Sequence, residues 1–85
     1  MEHEEIVRRN LELMNDFMQV ALKDASLLER IPQGAQVVIL PDDDPELRAI
    51  NEGIAARMVK RGEQVVVIRM QRPARPRIEM ELLSA

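Results

Sequence analysis

The chain has no cysteine, no tryptophan, no tyrosine and a single phenylalanine in 85 residues. Without cysteine there can be no disulfide, no thiolate zinc centre and no thiol nucleophile. With a single aromatic side chain there is no series of platforms on which nucleic-acid bases could stack. The core must instead be aliphatic, built from Val, Ile, Leu, Met and Ala, since 46% of residues are hydrophobic. The one histidine, His3, sits near the start, where a frayed segment gives it nothing to orient it as a base or ligand. Threonine is absent and Ser26 and Ser84 are the only serines, so no nucleophile–base pair can be assembled. Gly34, Gly53 and Gly62, the only glycines, form no phosphate-binding motif. No window is apolar over the length a membrane span requires. The acidic start lacks the basic n-region of a signal peptide, so the expected compartment is the cytoplasm and no membrane partner is expected.

What charge there is lies unevenly. Residues 1–30 carry a net −3, residues 31–62 a net −1 and residues 63–85 a net +1, giving −3 overall. An acidic chain is a poor counterion for a phosphate backbone, so nucleic acid is not an expected partner.

Glu4 to Arg30 contains neither Gly nor Pro and is closed by Pro32, which predicts one long helix with acids in its first turn. At ~100° per residue, Val7, Leu11, Met14, Met18, Ala21 and Ala25 form one apolar stripe. Ile6, Leu13, Phe17, Val20 and Leu27 form a second beside it. Together they cover about 220°, far wider than the ~100° stripe of an ordinary surface helix. Asn10 and Asp24 interrupt the arc, and Asp24–Ser26 is where a break would fall.

After a turn at Pro32-Gln33-Gly34, Gln36 to Leu40 is a β-branched run that suits a strand covered on both faces. Asp44 is placed as an N-cap with Pro45 at the first helical position. The helix runs to about Lys60 on an apolar stripe of Leu47, Ile50, Ile54 and Met58, and Gly62 supplies a left-handed cap. Gln64 to Ile68 is a second buried strand. Strand, helix and strand at this spacing predict a right-handed β-α-β unit with parallel strands. Ile78 to Leu82 alternates apolar and acidic residues, which fits an exposed edge strand, with a helix as the competing reading. The expected fold is thus one small α/β domain over 1–85. It has a long helix over 1–30, a β-α-β core over 36–68, and an Arg/Pro-rich segment with a third edge strand over 69–85.

The stretch Ile31-Pro32-Gln33-Gly34-Ala35-Gln36-Val37-Val38-Ile39-Leu40-Pro41-Asp42-Asp43-Asp44-Pro45-Glu46-Leu47 is distinctive, with Asn51 in the helix and Arg61-Gly62 before the second strand. It resembles a family of short bacterial and archaeal proteins of unknown function. The likeness covers about half of the chain, and the Pro-Asp-Asp-Asp-Pro loop is its most specific part. It implies the strand–loop–helix–strand core and brings no activity, cofactor or catalytic residue with it.

Asp42, Asp43 and Asp44 follow the carboxyl end of a strand expected to be parallel, where α/β proteins bind ligands. Three carboxylates there could hold a hard cation such as Mg²⁺, with Asn51 reaching back from the helix toward the loop or the end of the first strand. The competing reading is an acid-dressed helix N-terminus with Asn51 as a flanking polar residue. It needs no missing partners and is preferred. Arg69, Arg72, Arg75 and Arg77 make a basic segment interleaved with Pro73 and Pro76. It reads first as a solvated connector, second as a contact between subunits and third as a phosphate binder. Gly53 in mid-helix costs ~1 kcal/mol against Ala unless close packing needs it.

The expected function is that of a non-catalytic structural or accessory protein working through protein–protein contacts, with no cofactor. It is expected to be a homo-oligomer, most simply a dimer, whose interface is the stripe of Val7, Leu11, Met14, Met18 and Ala21. A helix of about 26 residues is ~39 Å long and would outrun a domain about 30 Å across. The wide apolar arc also exceeds what one small sheet can cover. The alternatives are a small metal- or ligand-binding protein or enzyme centred on Asp42–Asp44, and an antitoxin-like or regulatory partner using the Arg-rich segment.

Overall fold

In the computed structural model, which describes residues 1–71 and 77–84, the first helix does break at Asp24. Helix α1 runs over His3–Lys23 and a single further turn, α2, over Ser26–Glu29. Asp24 leaves helical geometry (φ −141°, ψ 84°). Its Oδ1 accepts from the Ser26 N–H at 3.2 Å and the Ser26 hydroxyl at 2.5 Å, so the short polar side chain offers the backbone a turn in place of continued helix. The break matters for shape. Twenty-one residues at 1.5 Å each span about 31 Å, within the 34 Å long dimension of the described residues. The length of the helix therefore gives no reason for it to project from its own subunit.

Strand β1, Gln36–Pro41, leads through the aspartate loop into helix α3, Pro45–Lys60, and then strand β2, Val65–Gln71. β1 and β2 are parallel, with Val37 beside Val66 and Ile39 beside Ile68. Strand β3, Arg77–Leu83, lies antiparallel to β2, with Ile68 beside Met80. The competing helix for 78–82 is not formed. The order β1-β2-β3 makes β2 central and leaves β1 and β3 as edges. Both ends of α3 form as their residues require. Asp44 Oδ1 accepts the Leu47 N–H at 3.2 Å. At the other end Gly62 turns left-handed (φ 82°). Its N–H bonds the Val59 carbonyl at 2.9 Å, and the Glu63 N–H bonds that of Met58 at 3.1 Å.

The sheet separates two apolar layers. On one face α1 and α2 bury Leu13, Phe17, Ala21 and Leu27 against Ile39, Val66, Ile68 and Met70. On the other, α3 sets Ala55, with Met58 and Val59, over Val38, Leu40, Val65 and Val67. The second stripe of α1 is therefore the core-facing one. Ala21 belongs with it, at 1% exposure, and not with the outer stripe where it was expected. The reason is angular: Ala21 lies ~40° from Val7 on the side of Asn10 and Phe17. The buried line of α3 is Leu47, Asn51 and Ala55, whereas Ile50, Ile54 and Met58 are only half-buried. α3 has rolled so that a polar residue, Asn51, faces inward.

Candidate functional site

The aspartate loop is bound up in the fold. Besides capping α3, Asp44 accepts from Arg9 Nη1 at 2.8 Å through Oδ2, and Arg9 Nη2 reaches Glu5 Oε1 at 2.6 Å. These hydrogen bonds, Asp44's first and Glu5's second, raise the Arg9 pKa above its ordinary value, so Arg9 is a fixed cation clamping α1 to the start of α3. Asp42 Oδ1 faces Arg48 Nη1 at 3.3 Å, and Arg48 also reaches Glu52 at 3.0 Å. Asp43 is exposed. Among the described residues no group of three or more His, Cys, Asp or Glu side chains converges closely enough to hold a metal ion. A cation entering here would have to displace arginines from two of the three carboxylates.

Asn51 is 3% exposed, and its hydrogen bonds go to β1 and α1 and not to the aspartate loop. Its Nδ2 donates to the Ile39 carbonyl at 2.8 Å and to Asn10 Oδ1 at 2.8 Å, and Asn10 Nδ2 donates back to Asn51 Oδ1 at 3.3 Å. One amide pair thus joins α1, β1 and α3. Asn10, which looked like an interruption of the apolar arc, is the other half of this bridge. Only a pairing across 41 residues of chain explains either position.

Beside the bridge the molecule is apolar and open. Val7 (45%), Leu11 (65%), Met14 (36%) and Met18 (38%) are exposed along the outer line of α1, and Leu22 extends it at 77%. Next to them a cleft of about 130 Å³ runs between Met14 on α1 and Ile54 and Met58 on α3, with Val37, Val38 and Ile39 as its floor. That floor is the free edge of β1. The Gln36 N–H bonds Gln64 and the Asp42 N–H bonds Met70, so even-numbered residues of β1 address β2. By alternation the N–H and C=O groups of Val37 and Ile39 point to the open side. Pro41, in the same phase, has no N–H to offer, and the Ile39 carbonyl is taken by Asn51.

The basic segment divides. Arg69 lies in β2 with its guanidinium 3.7 Å from Glu81, Arg77 opens β3, and Arg72 and Arg75 fall outside the described residues. Among the described residues no helix is long and apolar enough to cross a membrane. A family model described as "Family of unknown function (DUF5647)" matches residues 5–83, and the chain belongs to that family. No curated protein and no solved structure matches the chain.

Proposed function

We propose that this member of a family of unknown function is a non-catalytic protein that works through protein–protein contact, self-association foremost, with the outer stripe of α1 as its contact face. The observation that carries this reading is the line Val7, Leu11, Met14, Met18 and Leu22, exposed in unbroken succession beside an apolar cleft. Its exposed side chains amount to on the order of 500 Å², near the top of the range for the largest apolar patch on a monomer. Such a patch stays in water only at a cost of ~25 cal/mol per Å². The rival sites have less to recommend them. Asp42 and Asp44 are held by Arg48 and Arg9, Asn51 by the Asn10 bridge, and Arg69 faces Glu81 across the β2–β3 ladder. The test is Leu11→Glu, at an exposed position whose change leaves the core alone. Light scattering should show the assembled wild type and a monomeric variant with unchanged helicity. An equal mass for the two proteins would refute α1 as the contact face.

A further inference from the structure

We infer that α1 of one copy lies antiparallel along α1 of a second, about a two-fold axis between Glu12 and Leu13, so that Leu11 of each copy closes the mouth of the other's cleft. This rests on the self-association reading and specifies its geometry.

The spacing of the exposed line carries the argument. Val7, Leu11, Met14 and Met18 follow one another at intervals of four, three and four residues, the a/d repeat of a two-helix seam. Turned end for end about its midpoint, the line falls on itself. Val7 then faces Met18, and Leu11 faces Met14, in both directions. Such self-complementarity is what an isologous contact requires, and it closes at two copies. Docking of an unrelated helix makes no use of it.

The seam also points where a second helix can reach it. Leu13, Phe17 and Ala21, each 1% exposed, define the side of α1 that meets the sheet. At ~100° per residue the seam is centred roughly 90° round the helix from them. Asn10 and Met14, which line the cleft at the β1 edge, lie between the two directions. The seam therefore looks outward past that edge. Helix meets helix, and the β1 backbone, recessed as the floor of the cleft, takes no part in the contact. α3 is the poorer partner for α1. Its line beside the cleft, Ile50 and Ile54, runs into the exposed Arg57, whereas the line of α1 is uncharged from Val7 to Leu22.

Direction follows from charge. α1 has Glu4 and Glu5 in its first turn and Lys23 in its last. A parallel pair would set two acidic first turns and two like dipole ends side by side. An antiparallel pair sets each acidic start beside the partner's basic end. In this register Met14, at the cleft, faces the partner's Leu11. Leu11 is 65% exposed in the subunit alone and gains its cover there. The area is sufficient. The α1 line supplies more than half of the ~800 Å² per partner of a standard interface, and closing the cleft adds its Ile54 and Met58 walls.

The test uses thiols, since the chain has no cysteine of its own. In the antiparallel register Val7 of one copy stands about 17 Å along the axis from Val7 of the other, beyond the ~7 Å Cα–Cα limit of a disulfide. The same holds for Met18, whereas Val7 and the partner's Met18 are adjacent. Val7→Cys, Met18→Cys and the double variant, kept reduced, should all sediment as the wild type does. Mild oxidation where the wild type is assembled should link the double variant into covalent dimers at least about tenfold faster than either single variant, because only its thiols are held together at a millimolar effective concentration. Single variants that link as fast as the double, or an assembled double variant that does not link, overturn the antiparallel seam even where self-association stands. A wild type that sediments as one chain at every concentration refutes the self-association reading itself.

Discussion

Replacing Asn51 by leucine should destabilise the protein severely, although it puts an apolar side chain of similar size at a buried helical position. Three hydrogen bonds end on the Asn51 amide, two at 2.8 Å and one at 3.3 Å. Each contributes about 1 kcal/mol net. Leaving the carbonyl of the buried Ile39 without a donor adds about 1–3 kcal/mol, and burying the leucine side chain returns about 2 kcal/mol, for a total of about 2–4 kcal/mol. In a domain of this size 1 kcal/mol moves Tm by about 4–8 °C, so a fall of roughly 10–25 °C is expected. Urea unfolding followed by helical circular dichroism, at one fixed protein concentration, gives the free energy directly. Asn51→Asp separates donor from size, because an ionised carboxylate cannot donate to Ile39; it should be at least as damaging as leucine at neutral pH. Asn10→Ala should cost less, about 1 kcal/mol, since Asn10 is half-buried and water can replace it. The double mutant should show a clear coupling energy. A leucine variant within 0.5 kcal/mol of wild type, inside the ordinary scatter of surface substitutions, would refute the claim that this bridge holds α1 and α3 to β1.

Further outcomes follow from the same geometry. Asp44→Ala removes the α3 cap and the Arg9 partner together and should cost about 1–2 kcal/mol in urea titration, the part-exposed ion pair supplying the smaller share. Mg²⁺, Mn²⁺ or Ca²⁺ at millimolar concentration should leave the melt unchanged, for wild type and Asp43→Asn alike; a rise that disappears in the variant would restore the loop as a cation site. Ala21→Glu should unfold the protein, whereas Leu22→Glu, one residue away, should keep full helicity and lose assembly. The reverse pattern would mean that the faces of α1 are assigned the wrong way round.

The fold was legible wherever local chemistry decides it. The Val-rich runs of β1 and β2, the Asp44 cap, Pro45 and Gly62 each act within a few residues; α3 begins and ends where they place it, while β1 runs one residue further, to Pro41, and β2 runs three residues past Ile68, to Gln71. The break at Asp24 was legible as an alternative, because an Asp followed two residues later by Ser can close a turn on itself. What the sequence could not disclose were pairings across distance. Nothing local shows that Asn10 and Asn51 meet, that Arg9 clamps Asp44, or that α3 rolls to bury Asn51 in preference to Ile50 or Ile54. Two apolar stripes on α1 were evident. Which of them faces the sheet is set by Phe17 and Leu13, the bulkiest buried side chains of α1, and Ala21 follows them inward. The aspartate triplet was conspicuous for its composition, but its arginine partners lie up to 35 residues away in the chain.

The central claim is that the exposed face of α1 is a contact surface between copies. Sedimentation equilibrium of the wild-type chain across the micromolar range tests it most directly. Association through α1 predicts a mass of twice the 9.8 kDa chain, falling toward one chain on dilution and at every concentration for Leu11→Glu. A single-chain mass at all concentrations of wild type would contradict it.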